Sequence, residues 1–379
     1  MTELWLTSAV WMALAVAASL FSVRFGVTVA LGEVVLGIVA GNVFGLEPTP
    51  WIAGLAAFGA VVLMFLAGAE IDRASLRADF RFNLTVGLSS FAVPTVGGFA
   101  LAHGVLGWSW PASAIAGLVL SETSVAITYV LLLELGLARA RIGQAILSAS
   151  FVTNLCTVTF LGLIFLRLDP QSWLALGGVG VALAFAPVLA RRLFPRLGPH
   201  GSEPQLRIVI GLLFALAAAA ARAGGEAVLP AYLLGLVLGP ALAVDRAMLV
   251  RLRGVAFAVL TPFFFLKAGV LMDMGAVMAG AGTIAALFAI KFALKFGTTW
   301  AFASHIAPVA RDRAFLGLMM STGLTFGNVV ALFGLLNGAV DKAQYSLLAA
   351  VTIVSAIIPA AIAQRWFLPR VGETDGRAL

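Results

Sequence analysis

Apolar stretches of about 20 residues recur from one end of the chain to the other, separated by short polar segments that hold most of the charge. Each is long enough for a helix, rising 1.5 Å per residue, to cross a hydrocarbon layer of roughly 30 Å. Barrel strands would be short and alternating, so the spans are helices. The pattern predicts thirteen of them, at roughly 3–22, 25–45, 51–71, 82–104, 111–134, 142–166, 172–191, 206–223, 227–244, 253–272, 276–302, 314–336 and 343–367. The fold class that follows is an all-α polytopic membrane protein.

Composition agrees: 61% of residues are hydrophobic, 11% are charged and the mean hydropathy is +1.06, which excludes a soluble globule of 379 residues. The net charge of +7 would suggest nucleic acid in a soluble protein, but here it follows membrane topology. With the N-terminus outside, 18 of the 24 basic residues fall in loops on the inner side, from Arg24 through Arg73, Arg77 and Arg81 to Arg377. Only Arg167, Arg222 and Lys342 lie opposite, and Lys267, Lys291 and Lys295 fall within spans. So one-sided a distribution supports the span count and places the C-terminus in the cytoplasm; no nucleic-acid partner is implied. The first run has no basic leader and no small-residue cleavage site, so it reads as a retained helix.

The chain also repeats itself. "LGIVAGN" at 36–42 returns as "LGLVLGP" at 234–240, "FLAGAEID" at 65–72 as "FLKAGVLMD" at 265–273, and "GLVLSETSVA" at 117–126 as "GLMMSTGLTF" at 317–326. Gln144, Leu147 and Ala149 return as Gln344, Leu347 and Ala349. The offset shifts the span count by seven, and an odd shift reverses orientation. The expected organisation is one membrane transporter domain over 1–379, with inverted six-helix repeats at about 1–168 and 204–368, a linker helix at about 172–191 and no soluble regulatory domain. Secondary transporters built this way place substrate at the midplane, between discontinuous helices.

Two segments fit that description. "SETS" at 121–124 and "STGLTFGN" at 321–328 interrupt apolar runs at corresponding places. Gly323 and Gly327 weaken the helix, and Ser121, Thr123, Ser124, Ser321, Thr322 and Thr325 can satisfy freed backbone groups. Glu122 lies inside the first interruption, where a membrane-buried charge is functional by default; the plainer reading makes it a structural partner of Lys291 or Lys295, which sit one turn apart on one helix face. Lys267 reads as free to snorkel, and Glu33, Glu70, Asp72 and Glu134, near span ends, as interface residues. The "GIVAG" and "GLVLG" segments have the small-xxx-small spacing of close helix packing. His103, His200 and His305 are scattered and Cys156 is the only cysteine, so the sequence offers no metal cluster, no intrachain disulfide and no nucleophile with its base. It implies a transporter rather than an enzyme, and no cofactor.

The run of "GEVVLGIVAGN", "FLAGAEID", "TSVAITYVLLLELG", "ILSASFVTN", "PFFFLKAG", "KFALKFGTTW" and "MMSTGLTFGNVVALFG" resembles the monovalent cation:proton antiporters, the bacterial sodium/proton and potassium/proton exchangers, over about residues 30–367. The resemblance implies thirteen helices, a dimerising domain giving a homodimer, and a mobile core with two crossed broken helices. It implies alternating-access exchange of Na+ or K+ for protons, serving pH homeostasis, in a bacterial inner membrane. It puts Thr123, Ser124, Thr322 and Thr325 at the crossing and makes Lys295 the core lysine that faces the site. In that family an adjacent pair on the sixth helix, its second member an aspartate, binds the ion. Here the pair is Thr153 and Asn154, the expected ion site, and an amide can offer oxygen to a hard cation but cannot titrate.

Three accounts stand. Asn154 is an introduced replacement that mimics the proton-bound aspartate; or the titrating carboxylate has moved to Glu122, close to Asn154; or proton coupling has been abandoned and the protein is a uniporter, a channel-like path or a non-transporting sensor. Thr153 in the first position favours, by resemblance, one-for-one electroneutral exchange.

Overall fold

Every apolar run becomes a helix, because backbone N–H and C=O groups in hydrocarbon must bond within their own segment. The computed structural model describes residues 2–25, 28–69, 77, 79–138, 140–165, 170–197, 203–222, 227–242 and 246–369, and among these there is no β-strand. In chain order the helices are α1 (Thr2–Phe25), α2 (Val29–Phe44), α3 (Pro50–Ala69), α4 (Phe80–Ala100), α5 (Trp110–Ser121), α6 (Val125–Glu134), α7 (Arg141–Ile164), α8 (Pro170–Leu197) and α9 (Pro204–Arg222). They continue as α10 (Val228–Leu242), α11 (Arg246–Val255), α12 (Thr261–Val270), α13 (Met274–Ala279), α14 (Ala281–Phe302), α15 (Ala310–Met320), α16 (Thr325–Leu336) and α17 (Lys342–Trp366).

Among the described residues ten helical segments are long and apolar enough to cross a membrane, α11 with α12 and α15 with α16 each counting as one. Three of the expected spans appear as shorter apolar helices: Val29–Phe44, Trp110–Ser121 and Val228–Leu242. For Trp110–Ser121 the cause is visible, since Glu122 turns the chain extended at φ −67°, ψ 154° and α6 begins three residues later.

The chain divides into two compact units, each drawn from two separate stretches. The first comprises residues 1–71 and 158–273. Here the small-xxx-small segments serve contact between helices. A Cβ on Gly37 would fall on the backbone oxygen of Leu266 in α12, and one on Gly235 on that of Phe65 in α3. Glu33 and Lys267 are both buried in this unit, at 3% and 6% exposure, rather than hydrated at its ends. Glu70, Asp72 and His200 lie outside the described residues, as does the side chain of Glu134.

The second unit comprises residues 72–157 and 274–379. Phe82 and Val86 of α4, Leu132 of α6, Ile146 and Ala149 of α7, and Phe315, Met319 and Met320 of α15 pack into its core. The window through α15 and α16 is wholly buried, whereas that through α14 is only 17% buried. Leu287, Lys291, Lys295 and Thr299, four apart, form the buried stripe of α14. A helix with apolar outer faces thus carries its two lysines inward, the only direction in which an ammonium finds oxygen in a membrane.

Candidate functional site

The site lies within the second unit, where both helix interruptions occur. α5 stops at Ser121 and α6 starts at Val125, leaving residues 122–124 non-helical; α15 stops at Met320 and α16 starts at Thr325, leaving residues 321–324 likewise. The two breaks bind each other. The Ser124 backbone N–H donates to Thr322 O at 3.0 Å, the Thr123 hydroxyl donates to Met320 O at 3.0 Å, and the Thr128 and Thr322 hydroxyls are 3.2 Å apart. Backbone groups that the helices release are therefore satisfied across the crossing. Ser321 and Thr322 also return their hydroxyls to the preceding turn, on Gly317 O and Met319 O.

Lys295 reaches into the first break. Its ammonium donates to Ser121 O, to the Thr123 hydroxyl at 2.8 Å and to Ser90 O at 3.4 Å, so its three protons have three acceptors. A positive charge on the terminal carbonyl of α5 also complements that helix's dipole. Lys291, one turn away, makes an ion pair instead: Nζ lies 3.2 Å from Glu122 Oε1, with both side chains at 0% exposure. Of the two partners open to Glu122, the structure selects Lys291. Glu122 Oε2 has no hydrogen-bond partner among the described residues.

The stretch "SASFVTNLCTV" forms the middle of α7. Asn154 faces the break and uses its whole amide on one residue: the Thr123 N–H donates to Oδ1 at 3.2 Å and Nδ2 donates to Thr123 O at 2.8 Å. Turning the amide over would set donor against donor and carbonyl against carbonyl, which fixes the assignment. Thr153 is committed elsewhere, its hydroxyl within bonding distance of Gly87 O at 3.0 Å and Ala149 O at 3.1 Å. Thr157, one turn on from Asn154, lies 3.3 Å from the Ser121 hydroxyl.

The structure thus brings Ser121, Glu122, Thr123, Ser124, Asn154, Lys295, Thr322 and Gly323 together, and adds Lys291. Thr325 and Gly327 begin α16 beside them, the Cα of Gly327 against the Glu122 side chain. Thr153 shares the buried face of α7, but its hydroxyl is spent on the neighbouring helix and on its own. Three participants escaped the sequence reading: Ser90, which contributes a backbone oxygen, and Thr352 and Ser355 of α17. For the last two the available signal was a pair of hydroxyls three apart on one face of an apolar run.

The profile of the family described as "Sodium/hydrogen exchanger, transmembrane" matches residues 11–367. The chain belongs to this exchanger family. Its relatives include the "Probable Na(+)/H(+) antiporter 3" of Methanocaldococcus jannaschii, 28% identical over 269 residues, with 65% of this chain and 66% of that protein covered. The "Na(+)/H(+)-K(+) antiporter GerN" of Bacillus cereus is 25% identical over 355 residues, 89% of each chain. The "Glutathione-regulated potassium-efflux system protein KefC" of Salmonella newport is 25% identical over 341 residues, 81% of this exchanger-family chain and 52% of that protein. In fold it is similar to the sodium proton antiporter MjNhaP1 from Methanocaldococcus jannaschii, with a TM-score of 0.74 at 14% identity, covering 97% of this chain and 100% of that one.

Proposed function

We propose that this protein exchanges Na+ or K+ for protons by alternating access across a bacterial plasma membrane, with the Glu122–Lys291 pair as the exchanging unit. The observation that carries this reading is the ion pair itself: a fully buried carboxylate inside the first break, held by one ammonium at 3.2 Å and with its second oxygen open. Family membership and the antiporter names of its relatives support cation:proton exchange as the reaction.

Antiport needs a group that binds either ligand but not both. Charge conservation supplies the scheme. Glu122 carboxylate with Lys291 ammonium sums to zero; Glu122 carboxylate with a bound monovalent cation and neutral Lys291 also sums to zero. One proton leaves as one cation enters, and the buried site never carries an uncompensated charge, which would be costly in hydrocarbon. One-for-one electroneutral exchange follows.

Asn154 then has a different task. Its amide clamps the extended backbone at Thr123, two bonds that an aspartate could make only while holding a proton. The position retains the geometry of a protonated acid without its titration. Inverted repeats at about 1–168 and 204–368, thirteen spans, the N-terminus outside and a homodimer complete the reading; matched breaks around residues 121–124 and 321–324 and the one-sided basic loops support it.

The test is pH-gradient-driven Na+ and K+ flux in proteoliposomes. Glu122→Gln abolishes exchange in this reading, and Asn154→Asp is not required for it. Exchange that appears only in Asn154→Asp would instead mark Asn154 as a replaced aspartate. Cation flux indifferent to the pH gradient would make the protein an uncoupled path.

A further inference from the structure

Resting on that reading, the geometry points to a second half of the cation's coordination shell that neither the sequence pattern nor the family match assigns: we propose that Ser355, whose hydroxyl meets Glu122 at the bare Cα of Gly323, and Asn328, whose buried amide bonds Thr352 one turn before Ser355, bind the dehydrated Na+ or K+ when it takes the place of the Lys291 ammonium.

Gly323 is where Glu122, Lys291 and Ser355 meet. A Cβ there would collide with both Glu122 Oε1 and Lys291 Nζ and stand 2.9 Å from Ser355 Oγ. The missing side chain therefore leaves a cradle lined by a carboxylate oxygen, a hydroxyl oxygen and the ammonium that now sits between them. Ser355 spends its one proton on Thr352 O at 2.9 Å, a shorter bond than the 3.4 Å contact with Gly323 O, so lone pairs of its hydroxyl stay available.

Asn328 supplies the independent observation. It is 0% exposed, and its Nδ2 has no hydrogen-bond partner among the described residues, while Oδ1 lies 3.0 Å from Thr352 Oγ1. Thr352 has a single hydroxyl proton, and its shorter contact, 2.7 Å, is with Ala349 O, the back-bond usual for threonine in a helix. That hydroxyl is then an acceptor toward Asn328. The amide satisfies it by turning over, so that Nδ2 donates to Thr352 and Oδ1 becomes the unpaired atom. A buried, unpaired amide oxygen and a carboxylate with an unpaired oxygen are what a hard monovalent cation requires. Thr352 ties the two together, since its methyl and the Glu122 side chain both crowd the Cα of Gly327, the residue next to Asn328.

The experiment measures half-saturation and maximal rate for Na+ and K+ flux in proteoliposomes containing the full chain, alongside thermal stabilisation of the detergent-purified protein by NaCl or KCl at constant ionic strength. Asn328→Ala and Ser355→Ala should each raise the half-saturating cation concentration by about tenfold, leave the maximal rate within about twofold, and weaken cation-dependent stabilisation in parallel. Ser113→Ala, which removes a buried hydroxyl bonded to Trp108 O away from the breaks, should change neither. If Glu122→Gln abolishes exchange while both ligand variants, folded, keep the unaltered half-saturation, the added ligands are refuted and the Glu122 reading stands. Unimpaired exchange in Glu122→Gln, or no pH-driven movement of either cation by the unaltered protein, overturns both.

Discussion

Replacing Gly323 by alanine separates folding from function. The atoms that a new methyl would strike, Glu122 Oε1, Lys291 Nζ and, at 2.9 Å, Ser355 Oγ, all belong to side chains, so the backbone can stay and the helices can still pack. What must give is the pair. At 3.2 Å and an effective dielectric of about 20, its attraction is about 5 kcal/mol; displaced by about 1.5 Å it is about 3.5. The charge-assisted hydrogen bond lost with it adds about 1.5 kcal/mol. Together these amount to about 3 kcal/mol, a factor on the order of 100 at 1.4 kcal/mol per decade. Gly323→Ala should therefore run as a monodisperse species on size-exclusion chromatography, yet exchange cations at about one hundredth of the unaltered rate in the proteoliposome assay. Wild-type flux from a folded Gly323→Ala protein would show that the pair's geometry does not matter to transport.

Two further outcomes follow from single contacts. Lys291→Met leaves Glu122 buried without its counter-charge and should destabilise the purified protein by about 3–5 kcal/mol, while Lys291→Met with Glu122→Gln recovers most of that loss; thermal denaturation in detergent reads the difference, and equal losses would mean the pair is not coupled. Outside the membrane segments, the Arg141 guanidinium bonded to Asp79 holds that carboxyl below its ordinary value of 3.8. A depressed acid stabilises the fold above its unfolded value and loses that contribution as pH falls through the folded one. Asp79→Asn should thus melt slightly lower than the unaltered chain at pH 6 and match it near pH 3; with Arg141 58% exposed the gap is on the order of 0.5 kcal/mol, and a gap that widens toward acid contradicts the pairing.

How much of this was legible in the chain depended on the range of the interaction. Helical segments follow from local apolar length, and both breaks follow from polar and glycine residues clustered inside such runs. Charges could be placed near the breaks for the same reason. Their partners could not, because Lys291 and Lys295 share one helix face and differ only by a turn. Which lysine meets Glu122 is decided by depth along α14 relative to α5, a matter of packing between helices that are some 170 residues apart in the chain. Resemblance singled out Lys295 as facing the site, and it does enter the first break, but on two backbone oxygens and the Thr123 hydroxyl rather than on the acid. The compact units were hidden for a related reason: each is assembled from two separated stretches, so neither appears as a shift in composition. The approach of Glu122, Lys291 and Ser355 to Gly323 was invisible altogether, since a glycine's sequence context says nothing about what approaches its bare Cα.

The division of labour between the two lysines explains how a site without an aspartate at 154 stays balanced. If every group is ionised, Lys291, Lys295 and Glu122 leave one positive charge in excess. Lys295 offsets that excess without an acid, because the C-terminal end of α5 presents Ser121 O, and Ser90 O stands beside it. Carbonyl dipoles at a helix end act as partial negative charge, and inside a membrane they are not diluted by water. One ammonium is therefore absorbed by backbone, and the remaining charge on the site belongs to the Glu122–Lys291 pair alone. An aspartate at 154 would add a carboxylate against Thr123 O, 2.8 Å from the present amide nitrogen, and could keep its place there only by holding a proton. Asparagine removes that conflict, and in the proposed exchange leaves Glu122 as the carboxylate for which a cation and the Lys291 ammonium compete.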